Sequence, residues 1–259
     1  MVSPVIRPIV LVPGACLGGW AWRDVAARLR QHGHDAYPVT LTGLGDRAHL
    51  ARQDVDLETH IADVVNLLDY EALEDAVLVG HSYAGTVVTA VADRRPQRLS
   101  AVVYLDTSPL PDGTAIADVQ TPEQRERQLR EANEQGEGWQ WPPPGRDTLL
   151  AGTFGSPSGL SEENLQLIGQ RATSHPYATF AAPVRLEHDR PPAVRRAAIF
   201  CAAGGIDVAV LRELIEQGDP RAAAFADSDW ELYDRPTGHW AMLSLPGPLA
   251  DLLHRIAEQ

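Results

Sequence analysis

A serine in the segment GHSYAG, residues 80–85, has the surroundings of a catalytic nucleophile. The apolar run at 76–79 predicts a buried strand before it, and the residues after it predict a helix. Such a strand–turn–helix exposes the serine Oγ at the carboxyl edge of a sheet, where the N-terminus of the helix favours negative charge. The turn requires small residues two places before and two places after the serine, where Gly80 and Ala84 stand. We predict that Ser82 is a nucleophile; the alternative is a serine that only caps the helix.

A histidine close to the carboxyl end has the chemistry of a base for this serine. His239 stands in the segment TGHW, between the last predicted strand and the last predicted helix. A neutral imidazole accepts a serine proton near pH 7 and returns it to a leaving alkoxide. We predict that His239 is the general base; the alternative is a histidine with only a capping role at a helix start.

Two aspartates are candidates for the acid that orients this histidine. Asp106 follows the apolar run at 101–105, which predicts a strand, and Asp207 stands in the segment GGID at the start of a predicted helix. Either carboxylate would fix the orientation of His239 and stabilise its imidazolium. Each also has a structural interpretation, since Asp106 suits a polar strand end and Asp207 suits a helix N-cap. The residues alone leave both assignments open.

Strands and helices alternate along most of the chain, which predicts a mostly parallel sheet covered by helices. Apolar runs predict strands at 9–12, 34–41, 76–79, 101–105, 197–203 and 230–233. Amphipathic stretches predict helices at 20–31, 57–68, 82–93 and 248–257.

The alternation breaks between residues 109 and 192. Two helical stretches, QRERQLREANEQ and SEENLQLIGQRA, flank the loop GEGWQWPPPG there. We therefore predict a discontinuous core domain, residues 1–108 and 193–259, with a helical cap, or lid, at 109–192. Within the cap we expect His175 and His188 at the surface. For Trp139 and Trp141 two interpretations stay open, which are the lining of an apolar pocket and packing within the cap.

The composition argues against several classes of function. The formal net charge of −13 disfavours nucleic acid or an anionic membrane surface as a partner. All basic residues are arginine, so no lysine can form a Schiff base. Cys16 and Cys201 are too few for a disulfide framework or a metal site, and we expect Cys16 to serve packing. The first apolar run is too short to span a membrane, and we expect a cytoplasmic protein.

Several segments, in this order and spacing, resemble the landmarks of one enzyme family. They are VPGACLGGWAW, LTGLGDRAHL, GHSYAG, VVYLDTSPLPDG and TGHWAM. The chain resembles α/β-hydrolase esterases, in particular plant methylesterases of the salicylate methylesterase type, hydroxynitrile lyases and their bacterial relatives. The resemblance covers almost the whole chain outside the cap. It implies the α/β-hydrolase fold, with a helical lid inserted after the sixth strand.

The resemblance also implies an oxyanion hole built from two backbone N–H groups, those of Ala15 and Tyr83. Pro13 stands where the family has a histidine, so we expect the donor N–H to remain while the rigidity and polarity of the loop change. In most relatives the acid follows the strand predicted at 197–203, where only Asp207 is available. The plant relatives tend to have an uncharged residue at the position of Asp106, so we favour Asp106 and keep Asp207 as the alternative.

The expected function is hydrolysis of a carboxylic ester through an acyl-enzyme, without a metal or an organic cofactor. The resemblance suggests a small or medium apolar substrate, such as an aromatic or polyketide-type methyl ester. One alternative is a lyase of the hydroxynitrile type, although those relatives use a lysine that this chain lacks. Another is a catalytically silent binder on the same scaffold. The oligomeric state is left open, with a homodimer among the possibilities.

Overall fold

The computed structural model describes residues 6–188, 193–227 and 229–259. The strands are β1 (Ile9–Val12), β2 (Ala36–Pro38), β3 (Ala76–His81), β4 (Leu99–Leu105), β5 (Gln140–Trp141), β6 (His175–Pro176), β7 (Arg195–Cys201) and β8 (Trp230–Arg235). The helices are α1 (Arg23–Gln31), α2 (Leu57–Tyr70), α3 (Ala84–Arg94), α4 (Ile116–Val119), α5 (Pro122–Gln135), α6 (Arg146–Leu150), α7 (Glu162–Arg171), α8 (Ala178–Ala181), α9 (Val208–Glu216), α10 (Ala241–Ser244) and α11 (Pro246–Glu258). Short 3-10 helices lie at Gly19–Trp22, Gly45–Leu50, Pro96–Arg98, Ala202–Gly204 and Pro220–Phe225.

A six-stranded sheet forms the centre of the molecule, in the order β2-β1-β3-β4-β7-β8. All of its neighbouring strands are parallel. Residues of β3 alternate between two apolar cores, because Leu78 packs in the core that contains α2 and α3, whereas Val77 and Val79 pack in the core that contains α1 and α11. Burial on both faces explains why the central strands are continuous apolar runs. The prediction of a mostly parallel sheet flanked by helices is confirmed.

The chain between β4 and β7 carries helices α4 to α8 and the antiparallel pair of β5 and β6. This insertion follows β4, which is the fourth strand among the described residues. The resemblance implies a lid after the sixth strand, and that position is wrong for this chain. The predicted domain limits remain a prediction. The ends of the predicted segments at residues 1–5 and 189–192 lie outside the described residues.

The strand register brings the carboxyl ends of the central strands together at one edge of the sheet. Val12 of β1 lies beside Gly80 of β3, and His81 of β3 lies beside Leu105 of β4. The turns that follow these strands are therefore neighbours, and the N–H of Ser82 donates to the carbonyl of Leu105 at 3.1 Å. The segments after β1, β3 and β4 form one continuous rim.

Candidate active site

The serine of GHSYAG lies in a tight, strained turn between β3 and α3. Ser82 has φ 52°, in the left-handed region that L-residues rarely adopt. A Cβ at Gly80 would lie 2.7 Å from the carbonyl oxygen of Ala84, so only glycine fits there. A Cβ at Gly85 would lie 2.5 Å from the Thr107 hydroxyl oxygen. Gly85 is thus required by packing against the residues after β4, while Gly80 and Ala84 form the close contact of the turn.

The candidate base and one candidate acid are joined directly. Nδ1 of His239 lies 2.6 Å from Oδ2 of Asp106, and the two side chains are 13% and 23% exposed. A carboxylate only accepts hydrogen bonds, so the hydrogen of the neutral imidazole is on Nδ1 and Nε2 carries the free lone pair. The second carboxylate oxygen of Asp106 accepts the N–H of Cys201, at the end of β7, at 3.1 Å. Asp106 is therefore held from two sides.

The other candidate acid has a different place. Asp207 is the N-cap of α9, and its Oδ1 accepts the N–H of Val210 at 2.8 Å. Among the described residues it makes no hydrogen bond or ion pair with His239. A capping bond accounts for this aspartate.

Ser82 stands where two cavities meet. The smaller, of about 40 Å³, is lined by Ser82 and His239. The larger, of about 380 Å³, is lined by Ser82 and Asp106. The insertion between β4 and β7 supplies apolar and long polar side chains to the lining of the larger cavity. The apolar ones are Ile116, Val119, Trp141, Phe154 and Phe180, and the polar ones are Gln120, Gln124, Arg127 and Gln128.

The turn after β1 packs directly against the serine turn. A Cβ at Gly14 would lie 2.6 Å from Nδ1 of His81 and 3.1 Å from Cβ of Ser82, so the approach requires glycine. Ala15, the next residue, lines both cavities with Ser82, and Tyr83 lines the larger one. Within the described ranges, the N–H groups of Ala15 and Tyr83 have no hydrogen-bond acceptor. Both candidate oxyanion donors are therefore available to bind an oxygen atom of a substrate.

Two further histidines, His81 and His175, lie beside this site. His81 is buried, and its Nε2 donates to the carbonyl of His239 at 2.9 Å. His175 is fully buried, so the prediction of a surface position is wrong. It belongs to the insertion between β4 and β7 and packs against the ring of Tyr83, at a centroid distance of 4.7 Å. His188 is exposed, as predicted, and lies beside Asp93.

Trp139 and Trp141, in the insertion between β4 and β7, differ in their relation to the site. Trp141 is buried, lines the larger cavity and stacks on Phe154 at a centroid distance of 4.7 Å. Its Nε1 donates to Oε2 of Glu131 at 2.8 Å. Trp139 is half-buried and is absent from the described lining of that cavity.

We expect acid to destabilise the fold through its buried neutral histidines. Burial lowers the pKa of His60 to about 4 and holds the pKa of His81 and His175 well below the usual range. The unfolded chain binds these protons near pH 6.5, so stability is lost as the pH falls from there towards the folded pKa values. The shift of His60 alone costs about 3 kcal/mol by pH 4.

Urea unfolding between pH 7.5 and 4.5 measures this loss. The His60→Asn variant is the matched control, and it should show a shallower fall of unfolding free energy with pH. A free energy that is flat over this range in the wild type would contradict the expectation.

Neither a metal site nor a membrane span is found in the described part of the chain. No group of three or more histidine, cysteine, aspartate or glutamate side chains there has the arrangement of a metal site. No helix there is long and apolar enough to cross a bilayer.

Comparisons with known proteins bear on the family and the fold. Residues 9–252 match the model of the alpha/beta hydrolase family. A carbendazim hydrolyzing esterase from Nocardioides sp. (strain SG-4G) is 32% identical over 94% of this chain and 97% of its own length. The putative methylesterase 14, chloroplastic, of Arabidopsis thaliana is 30% identical over 45% of this chain and 34% of its own length.

Solved structures share the fold over nearly the whole chain. An extracellular α/β-hydrolase from a Paenibacillus species, described as sharing structural and functional homology with tobacco salicylic acid binding protein 2, superposes with a TM-score of 0.77 at 20% identity, covering 97% of this chain and 98% of its own. The Arabidopsis methylesterase MES16 superposes with a TM-score of 0.68 at 22% identity, covering 97% and 98%. With the family match over residues 9–252, these similarities show that the chain belongs to the alpha/beta hydrolase family.

Proposed function

We propose that the protein is a serine-dependent carboxylic ester hydrolase that works through an acyl-enzyme. The observation that carries the proposal is the 2.6 Å contact of His239 with Asp106, beside a serine in a strained turn that shares a cavity with His239. The similarity to curated esterases supports ester hydrolysis as the reaction class. A serine, an imidazole and a carboxylate in this relation are the groups that nucleophilic acyl transfer requires.

The geometry assigns a role to each group in the proposed mechanism. Ser82 Oγ attacks the ester carbonyl carbon while Nε2 of His239 takes its proton. The negative charge that develops on the carbonyl oxygen is held by the N–H groups of Ala15 and Tyr83. The imidazolium, stabilised by Asp106, then protonates the departing alkoxide, which leaves as an alcohol. Water attacks the acyl-enzyme by the same route, and the acid and free Ser82 are released.

The larger cavity favours a small or medium substrate with an apolar acid part. A volume of about 380 Å³ lies at the lower end of the range of small-molecule sites. Trp141, Phe154 and Phe180 offer aromatic contact surface next to Ser82. The relatives named for methylesters and for carbendazim suggest methyl esters of aromatic acids, and carbendazim itself, as the first substrates to test.

We expect hydrolysis of at least one substrate in a panel of methyl benzoate, methyl phenylacetate, methyl 2-naphthoate and carbendazim. Release of methanol, the alcohol that all four substrates give on hydrolysis, is measured by gas chromatography, with kcat/KM on the order of 10⁴ M⁻¹ s⁻¹ for a good substrate. Mandelonitrile, a hydroxynitrile of similar size, is the matched control and should remain intact. Cleavage of mandelonitrile without ester hydrolysis would instead identify a lyase. Binding of the panel without turnover would identify a silent binder.

A further inference from the structure

A buried imidazole from the cap is bonded to the turn that carries one candidate oxyanion donor. Nδ1 of His175 accepts the backbone N–H of Cys16, the residue after Ala15, at 3.1 Å. Nε2 of His175 lies 2.9 Å from the hydroxyl oxygen of Thr179, which itself donates to the carbonyl of Pro176 at 2.8 Å. Since the Thr179 hydrogen is used by Pro176, the His175 hydrogen is on Nε2. His175 is therefore a neutral imidazole in one tautomer, whose Nδ1 can only accept.

The same cap segment holds the other side of Cys16. The N–H of Thr173 donates to the carbonyl of Cys16 at 3.0 Å, and the Thr173 hydroxyl accepts the N–H of Gly45 at 2.9 Å. Both backbone groups of Cys16 are thus bonded to residues of the cap. Cys16 has φ 65°, a left-handed conformation that a residue with a Cβ disfavours. Outside bonds are therefore what keep this turn in place.

A second neutral imidazole anchors the other candidate donor. Nε2 of His60 lies 2.8 Å from the carbonyl of Thr42, which can only accept, so the hydrogen of His60 is on Nε2. Nδ1 of His60 accordingly accepts the hydroxyl of Tyr83 at 2.8 Å. The rings of His60 and His175 meet edge to face at a centroid distance of 5.6 Å. The residue after one candidate donor, Cys16, and the side chain of the other, Tyr83, are thus held by one uncharged cluster.

We propose that His175 is a positioning residue of the oxyanion hole. By accepting the N–H of Cys16 it fixes the peptide that follows Ala15, and so the direction in which the Ala15 N–H donates. Because His175 belongs to the cap and Ala15 to the core, this donor is aimed only when the cap is seated. The inference rests on the proposed ester hydrolysis and adds the residue that couples the cap to the chemistry.

The test compares two replacements of His175 with a hydrolysed methyl ester as substrate. His175→Leu has similar bulk but no acceptor, and we expect kcat to fall about 10²-fold while KM stays within about threefold, since the lost interaction acts on the transition state. His175→Asn keeps an acceptor near the position of Nδ1, and we expect it to recover most of that loss. If His175→Leu does not fold, Thr179→Val, which removes the partner of Nε2, should lower kcat about tenfold.

The control is Leu165→Ala, which removes a buried side chain of α7 outside the hydrogen-bonded cluster and the described linings of the two cavities. It should lower the melting temperature and leave kcat within about threefold. An unchanged kcat in folded His175→Leu or Thr179→Val, or an equal loss of kcat in Leu165→Ala, overturns the inference. Failure of the wild type to hydrolyse any ester would overturn the proposed function itself. That outcome is distinct from a failure of the inference, in which the wild type is active and His175→Leu is equally active.

Discussion

Replacement of Ser82 by alanine should lower kcat for ester hydrolysis by at least about 10⁴-fold, because no other group then forms the acyl-enzyme. The loss should appear in kcat with little change in KM, since alanine fits the turn and the cavity stays the same shape. A fluorophosphonate probe, which bonds covalently to an activated serine, should label the wild type at one site and leave Ser82→Ala unlabelled. Intact-protein mass spectrometry measures both results.

Ser100→Ala provides the matched control for this experiment. Ser100 lies in β4, and its hydroxyl donates to the carbonyl of Ala76, so the same chemical change is made away from the two cavities. It should keep activity within about threefold, as expected for a change far from the reacting groups. Equal labelling of Ser82→Ala and the wild type would show that another residue is the nucleophile.

Asparagine at position 106 should reduce single-turnover acylation by about 10⁴-fold, by analogy with the orienting aspartate of serine hydrolase triads. The side chain keeps its shape, but the amide lacks the charge that stabilises the imidazolium of His239. The amide also no longer requires the hydrogen of the neutral imidazole to be on Nδ1. Stopped-flow acylation with a chromogenic ester separates this step from deacylation.

The comparison that tests the choice of acid is Asp207→Asn. An asparagine side chain can still cap α9, so we expect stability to change by less than about 0.5 kcal/mol and acylation to stay near the wild-type rate. If Asp207→Asn is the slow variant and Asp106→Asn is near wild type, the acid follows β7 and the interpretation of the 2.6 Å contact is wrong.

The sequence predicted the sheet and the serine turn because their signals are local. Apolar runs mark strands, and Gly80 and Ala84 satisfy a steric demand within a few residues. The choice between Asp106 and Asp207 depends on contacts between residues that are far apart in sequence. It depends on β4 lying beside β7, which lets the Cys201 N–H hold one oxygen of Asp106 while the other meets His239.

The predicted surface position of His175 is wrong for the same reason. Its neighbours in the chain, RATSHPYATF, include enough polar residues to suggest a surface segment. Its burial results from contacts with Cys16 and Tyr83, which lie far away in sequence. The aromatic pair Tyr177 and Phe180 after it was the one signal of a buried segment.

The position of Asp106 at the end of β4 has a practical consequence for the loop after β7. On the proposed assignment, residues 202–207 take no part in the chemistry, although other enzymes of this shape keep their acid there. A Cβ at Gly204 would meet no atom within 4 Å, whereas Gly205 has φ 98°, a backbone conformation that favours glycine. We therefore expect position 204 to accept a cysteine that carries a fluorophore or an affinity tag without loss of turnover.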